Sequence, residues 1–168
     1  MCVVDFLMKK DIDHYVLKGA PFSLIDYLRT SHPCRGSEGQ DQRRVLDRIK
    51  QYPRLIGLDA AVKMFEGRQF VNVKGNTITC PDLIAYDGNL FSVIEAGYDG
   101  INDQLDTADT IFKLNFEISP LLIAARVIKG TQGGFTYSKR FQGSRASEYV
   151  QVEPEPQPWP TQEHPPRY

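Results

Sequence analysis

The stretch that decides the fold is residues 77–96, TITCPDLIAYDGNLFSVIEA. Two β-rich segments, 77–86 and 90–96, flank Asp87-Gly88-Asn89. Asp-Gly between such segments predicts a tight hairpin turn. With Asp87 and Gly88 as the central turn residues, Tyr86 faces Asn89 and Asp82 faces Val93. Glu95 is then the diagonal neighbour of Asp82 on the same face, within about 7–8 Å at the backbone. Register decides this, because a one-residue slip turns a side chain to the other face. Two carboxylates so placed can share one hard cation, which takes oxygen ligands. Glu95 also stands among Phe91, Val93, Ile94 and Ala96. Buried carboxylates are rare unless paired or metal-bound.

Upstream, Ser37-Glu38-Gly39-Gln40 reads as a capping box with Ser37 as N-cap. The helix it opens is expected to run to about Gln51, with Val45, Leu46 and Ile49 as its apolar stripe. Glu38 and Gln42 fall on the same side as Val45 and Ile49, with Asp41 close by. Leu58 to Glu66 is expected as a second short helix closed by Gly67, and Phe70 to Val73 as a strand before the turn Lys74-Gly75-Asn76. Downstream, Ile101, Leu105, Ala108, Phe112 and Phe116 recur at helical spacing. They predict a helix from about Ile101 to Asn115. Asp103, Asp106 and Asp109 are expected on its solvated face. After Pro120 the apolar run LLIAARVI suits a strand buried on both faces.

The chain has 168 residues, 24% of them charged, and a net charge of −1. That is one domain by size, with no global basic field. The expected division is N-terminal elements packed on the core (1–36), a core domain (37–150) and a Pro-rich flexible tail (151–168). Cys2, Cys34 and Cys80 form no CxxC pair, so neither a zinc site nor a disulfide framework is expected. No apolar run is long enough to span a membrane, and residues 1–8 are too short for a signal peptide. A cytoplasmic protein is the expectation. Lys139, Arg140 and Arg145 interleave with Phe135, Tyr137 and Phe141. Bases among aromatics can contact phosphates and stack on nucleobases, although an ordinary amphipathic hairpin has the same pattern.

Helix with Glu38, strand with Pro81-Asp82, turn, strand with Glu95-Ala96-Gly97, helix with Gln104, buried strand: this order resembles the PD-(D/E)XK nuclease superfamily over about residues 37–130. It looks particularly like the archaeal Holliday-junction-resolvase and restriction-endonuclease-like members. The resemblance implies an α/β fold with a restriction-endonuclease-like mixed central sheet flanked by helices. It implies a divalent-metal-dependent endonuclease acting on DNA, with branched or damaged DNA as the expected substrate and a homodimer as a further expectation. Asp82, Glu95 and the Ala96 carbonyl would hold Mg2+ or Mn2+, with Glu38 contributing through water. Where the family pattern has a lysine, this sequence has Gly97. Lys113 is the first candidate for a substitute cation, with Lys74 and Arg126 behind it. The alternative is a catalytically inactive nuclease-like domain that binds nucleic acid or a protein, with the Pro-rich tail as a docking segment.

Overall fold

The structure, a computed structural model, describes residues 12–19, 23–34 and 39–156. Its helices are α1 (Leu24–Thr30), α2 (Gln40–Gln51) and α3 (Ile101–Phe116). The Ser23 hydroxyl starts α1 by accepting the Asp26 N–H at 3.1 Å. That satisfies one of the amides a helix start leaves open. α2 begins later than a Ser37 cap would have it. Gly39 is its N-cap and makes no side-chain cap bond. Gln40 is thus the first helical residue, not the third position a capping box needs. Ser37 itself lies outside the described residues.

The strands are β1 (Lys63–Glu66), β2 (Phe70–Val71), β3 (Thr77–Thr79), β4 (Leu83–Tyr86), β5 (Phe91–Gly97), β6 (Leu121–Val127), β7 (Phe135–Arg140) and β8 (Val150–Val152). Six make a mixed sheet in the order β1-β4-β5-β6-β7-β8, and β2-β3 form a separate ribbon. Only β5 and β6 pair in parallel. A parallel pair needs a crossover, and α3 supplies it.

Three expectations about the strands and the tail need correction. Leu58–Glu66 is not a helix: Pro53–Ile56 make a 3-10 turn that Gly57 closes at φ 75, and 63–66 then pair antiparallel with β4. The sheet edge overrides the local preference of Asp59-Ala60-Ala61 for helix. Residues 77–86 are not one strand, because the chain leaves the ribbon at Thr79 and joins the main sheet only at Leu83, with Pro81 between. The tail does not start at Gln151, since β8 pairs with β7 through Val150, Gln151 and Val152. Residues 157–168 lie outside the described residues.

The sheet is covered on both faces, as its apolar strands require. On one face Ile84, Val93, Leu122 and Ala124 meet Ile101, Leu105, Ala108 and Phe112 of α3 and Leu24 and Leu28 of α1. On the other, Leu83, Ile94, Ala96, Ile123 and Ala125 meet Val45, Leu46 and Ile49 of α2. The Asp103-Asp106-Asp109 series does not form one solvated face. Asp109 is 1% exposed and pairs with Lys113 at 2.9 Å, and Asp106 pairs with Arg140 at 2.8 Å.

Cys34 and Cys80 are paired as a disulfide, with Cα atoms 6.4 Å apart. No disulfide framework was expected from these cysteine spacings, and one bridge is present. The segment around Cys34 is held to the chain after β1 by backbone bonds from Cys34 to Gly67 and from Gln69 to His32. Wide spacing in sequence gave no sign of that proximity. Among the described residues, no helix is long and apolar enough to cross a membrane.

Candidate functional site

The hairpin turn is longer than the Asp-Gly signal implies. Tyr86 pairs with Phe91, so residues 87–90 form the loop. Asp87 accepts the N–H groups of Asn89 and Leu90 at 2.8 and 2.7 Å, which organises the four-residue turn. Leu83 pairs with Ile94. One further step in that register sets Asp82 directly opposite Glu95, not opposite Val93. The register moves by two, so the face is kept. Alternation along β5 puts Glu95 on the α3 side of the sheet with Val93, and the Asp82 side chain is hydrogen-bonded to it.

β4 begins only at Leu83, and the Asp82 carboxylate accepts the Ala96 N–H at 2.9 Å. A side chain thus completes the ladder where the strand has not yet begun. Glu95 is 2% exposed. Burial pushes its carboxyl up to about 10, assisted by the hydrogen bond it donates to the Asp82 side chain and by the Asp82 charge, while the Asp82 backbone N–H pulls the other way. Two carboxylates in contact cannot both be ionised cheaply in a dry site. The pair has two ways to settle: it shares a proton, or a cation enters.

Ala96 points its carbonyl towards α2, where the Gln42 side-chain amide donates to it at 2.6 Å. Gln42 was legible as lying on the right side of the helix, but its bond to Ala96 was not. Glu38 lies outside the described residues. Asp41 is engaged elsewhere, accepting the Gly130 N–H at 2.9 Å. Gln104 is exposed on α3. Among the described residues, no group of three His, Cys, Asp or Glu side chains is arranged to hold a metal. Carboxylates and a backbone carbonyl are the kind of oxygen donors a hard cation takes.

Lys113 does not reach this pair. It lies twelve residues into α3 from Ile101, about 18 Å along the axis at 1.5 Å per residue. Its neighbours Leu114, Asn115 and Phe116 line a cleft with Tyr86 and Phe91, at the hairpin-turn end of the sheet. Its ammonium pairs with Asp109. Lys74 sits beyond β2 in the separate ribbon. Arg126 is the candidate that the topology brings near, because it pairs with Gly97 across the parallel ladder. Sequence alone could not show this, since the register of β5 on β6 is set by the crossover. Gly97 is closely packed: a Cβ there would meet the Ile101 methyl at 3.1 Å.

The basic-aromatic segment is split by the strand's alternation. Tyr137 and Lys139 pair with Ala125 and Ile123, on the α2 face. Arg140 is on the α3 face, bound to Asp106 and Asn102. Burial lowers the Lys139 ammonium. Arg145 is exposed in the segment after β7. These four residues do not form one continuous surface.

Comparison with protein-family models, curated proteins and solved structures gives no match for this chain.

Proposed function

We propose that this protein is a divalent-metal-dependent, nuclease-like protein acting on DNA phosphodiester bonds. The observation that carries the reading is the buried Glu95 carboxyl in contact with the half-buried Asp82. Such a pair is unfavourable as two charges, and a cation between them relieves it. The element order supports the same reading: α2, the β4–β5 hairpin bearing both acids, α3, then the buried parallel strand β6. This is the order expected of a restriction-endonuclease-like core, with β1 added outside the hairpin.

In this proposal Asp82, Glu95 and the Ala96 carbonyl hold Mg2+ or Mn2+, which would polarise a phosphate and lower the pKa of a water. Gln42 fixes the Ala96 carbonyl, and the Ala96 N–H fixes Asp82. Gln42 thus orients one proposed ligand from outside the site, and Ala96 orients its neighbour Asp82 from within it.

A second reading has one observation in its favour. Gly97 offers no charge where the resemblance calls for lysine, and Ile101 packs into the space a side chain would need. That favours a nuclease-like domain that binds nucleic acid or protein without cutting. The test is cleavage of labelled linear, single-stranded and four-way-junction DNA with Mg2+ or Mn2+, wild type beside Asp82→Ala and Glu95→Ala. Cleavage lost in both variants is the expected result. Binding without cleavage on every substrate selects the second reading.

A further inference from the structure

Two cation–aromatic pairs stand where β5 and β6 end. Arg126 is the ladder partner of Gly97. It therefore shares a face with Glu95, two residues earlier on β5. Arg126 is exposed, and its guanidinium lies over the Tyr149 ring at 5.7 Å. Just past the two strands, the Lys129 ammonium lies over the Tyr98 ring at 5.8 Å. The rings are 47% and 44% exposed. Among the described residues, neither cation lies within ion-pair distance of a carboxylate. Arg43, Lys50, Lys113 and Arg140, by contrast, are all engaged by acids.

An exposed tyrosine beside an unneutralised cation makes two kinds of contact: the ring stacks on a base, and the cation meets a phosphate. The carboxyl ends of parallel strands are also where open α/β sheets place their ligands. We propose that this end of the sheet is a contact surface for single-stranded nucleic acid, with Tyr98 and Tyr149 as stacking platforms and Arg126 and Lys129 as phosphate contacts. The inference rests on the nucleic-acid reading above and adds the strand state. A duplex keeps its base faces inside the stack, so only an unpaired strand can use both rings. Asp99 and Glu148 adjoin the rings in sequence, so stacking outweighs charge. Two phosphate contacts give a shallow log–log salt slope, about −1.4 for a single strand.

The experiment is fluorescence anisotropy of a short labelled single strand, as DNA and as RNA, against its duplex. The full chain is used in EDTA so that no cleavage intervenes. Tyr98→Ala and Tyr149→Ala should each weaken single-strand binding roughly 5- to 100-fold, and phenylalanine at either position should restore it. Arg126→Gln should flatten the salt slope by about 0.7. Both rings are exposed, so thermal melts should match wild type. Equal affinity for duplex, no binding by wild type, or unchanged binding in the Tyr98→Ala/Tyr149→Ala double variant overturns the proposal. The two readings fail separately. A chain that cuts DNA but binds normally without the rings loses this surface alone; one that never cuts but needs the rings keeps it.

Discussion

Glu95→Gln separates the acidic pair from every other source of stability. In the folded chain the Glu95 carboxyl is pushed up to about 10, against an ordinary value of 4.5. Below pH 4.5 the folded and unfolded chains both hold this proton, and burial exacts no ionisation penalty. Between these limits the unfolded chain releases a proton that the folded chain keeps. Stability therefore falls as pH rises through the window, by about 1.36 kcal/mol per unit. From pH 5 to pH 8 the loss from this group reaches about 4 kcal/mol. Glutamine has the same shape and no proton to lose, so it should remove that slope. The assay is urea unfolding at four pH values in EDTA, wild type beside Glu95→Gln. The variant should be close to wild type at pH 5 and more stable than it at pH 8. Parallel curves for the two proteins would refute the argument, because the carboxyl would then be ionised in the fold without cost.

Three further outcomes follow from the packing. Lys113→Met strands the buried Asp109 carboxylate, and should cost about 1–3 kcal/mol, below the usual range for a buried pair because Lys113 is partly exposed. Asp109→Asn should recover most of it in urea unfolding, with Mg2+-dependent stabilisation unchanged in both. Reducing Cys34–Cys80, separated by 46 residues, should remove up to about 4 kcal/mol by loop-closure entropy. Cys34→Ser should match that loss and abolish any further effect of reductant in a thermal melt. Gly97→Ala brings a Cβ to 3.1 Å from the Ile101 γ2 methyl and should cost about 1–3 kcal/mol by overpacking. The cost should shrink in an Ile101→Leu background, which a double-mutant cycle reads directly.

The hairpin, the crossover helix and the buried parallel strand were legible because each carries a strong local signal. Asp87-Gly88 marks a turn, Ile101 to Phe116 keep one period, and LLIAARVI has no polar face to expose. The two acids were legible on one face because the error in turn length was even. β1 was missed because Lys63–Glu66 is a strand only through β4 beside it. β8 was missed for the same reason: Val150–Val152 is too short to signal anything until β7 presents an edge. Basic residues were the least legible class. Their roles depend on which face alternation gives them, and strand β7 divides Lys139 from Arg140. Arg126 became visible only through the parallel register that sets it beside Gly97.

In the proposed site the same two carboxylates would answer to a proton and to a cation, and the two would compete. A divalent ion can use Asp82 and Glu95 only as the shared proton leaves, so binding releases a proton and apparent affinity rises with pH. While the Glu95 carboxyl holds its proton, each pH unit should strengthen binding about tenfold. At fixed Mg2+, a ligand that binds only the folded chain then stabilises it more at pH 8 than at pH 6. The metal-free protein moves oppositely, since its stability falls over that range. The gap between thermal melts with and without Mg2+ should therefore widen with pH in wild type and vanish in Glu95→Gln. A gap of constant width would move the cation away from this pair, and an unchanged gap in the variant would remove Glu95 from its ligands.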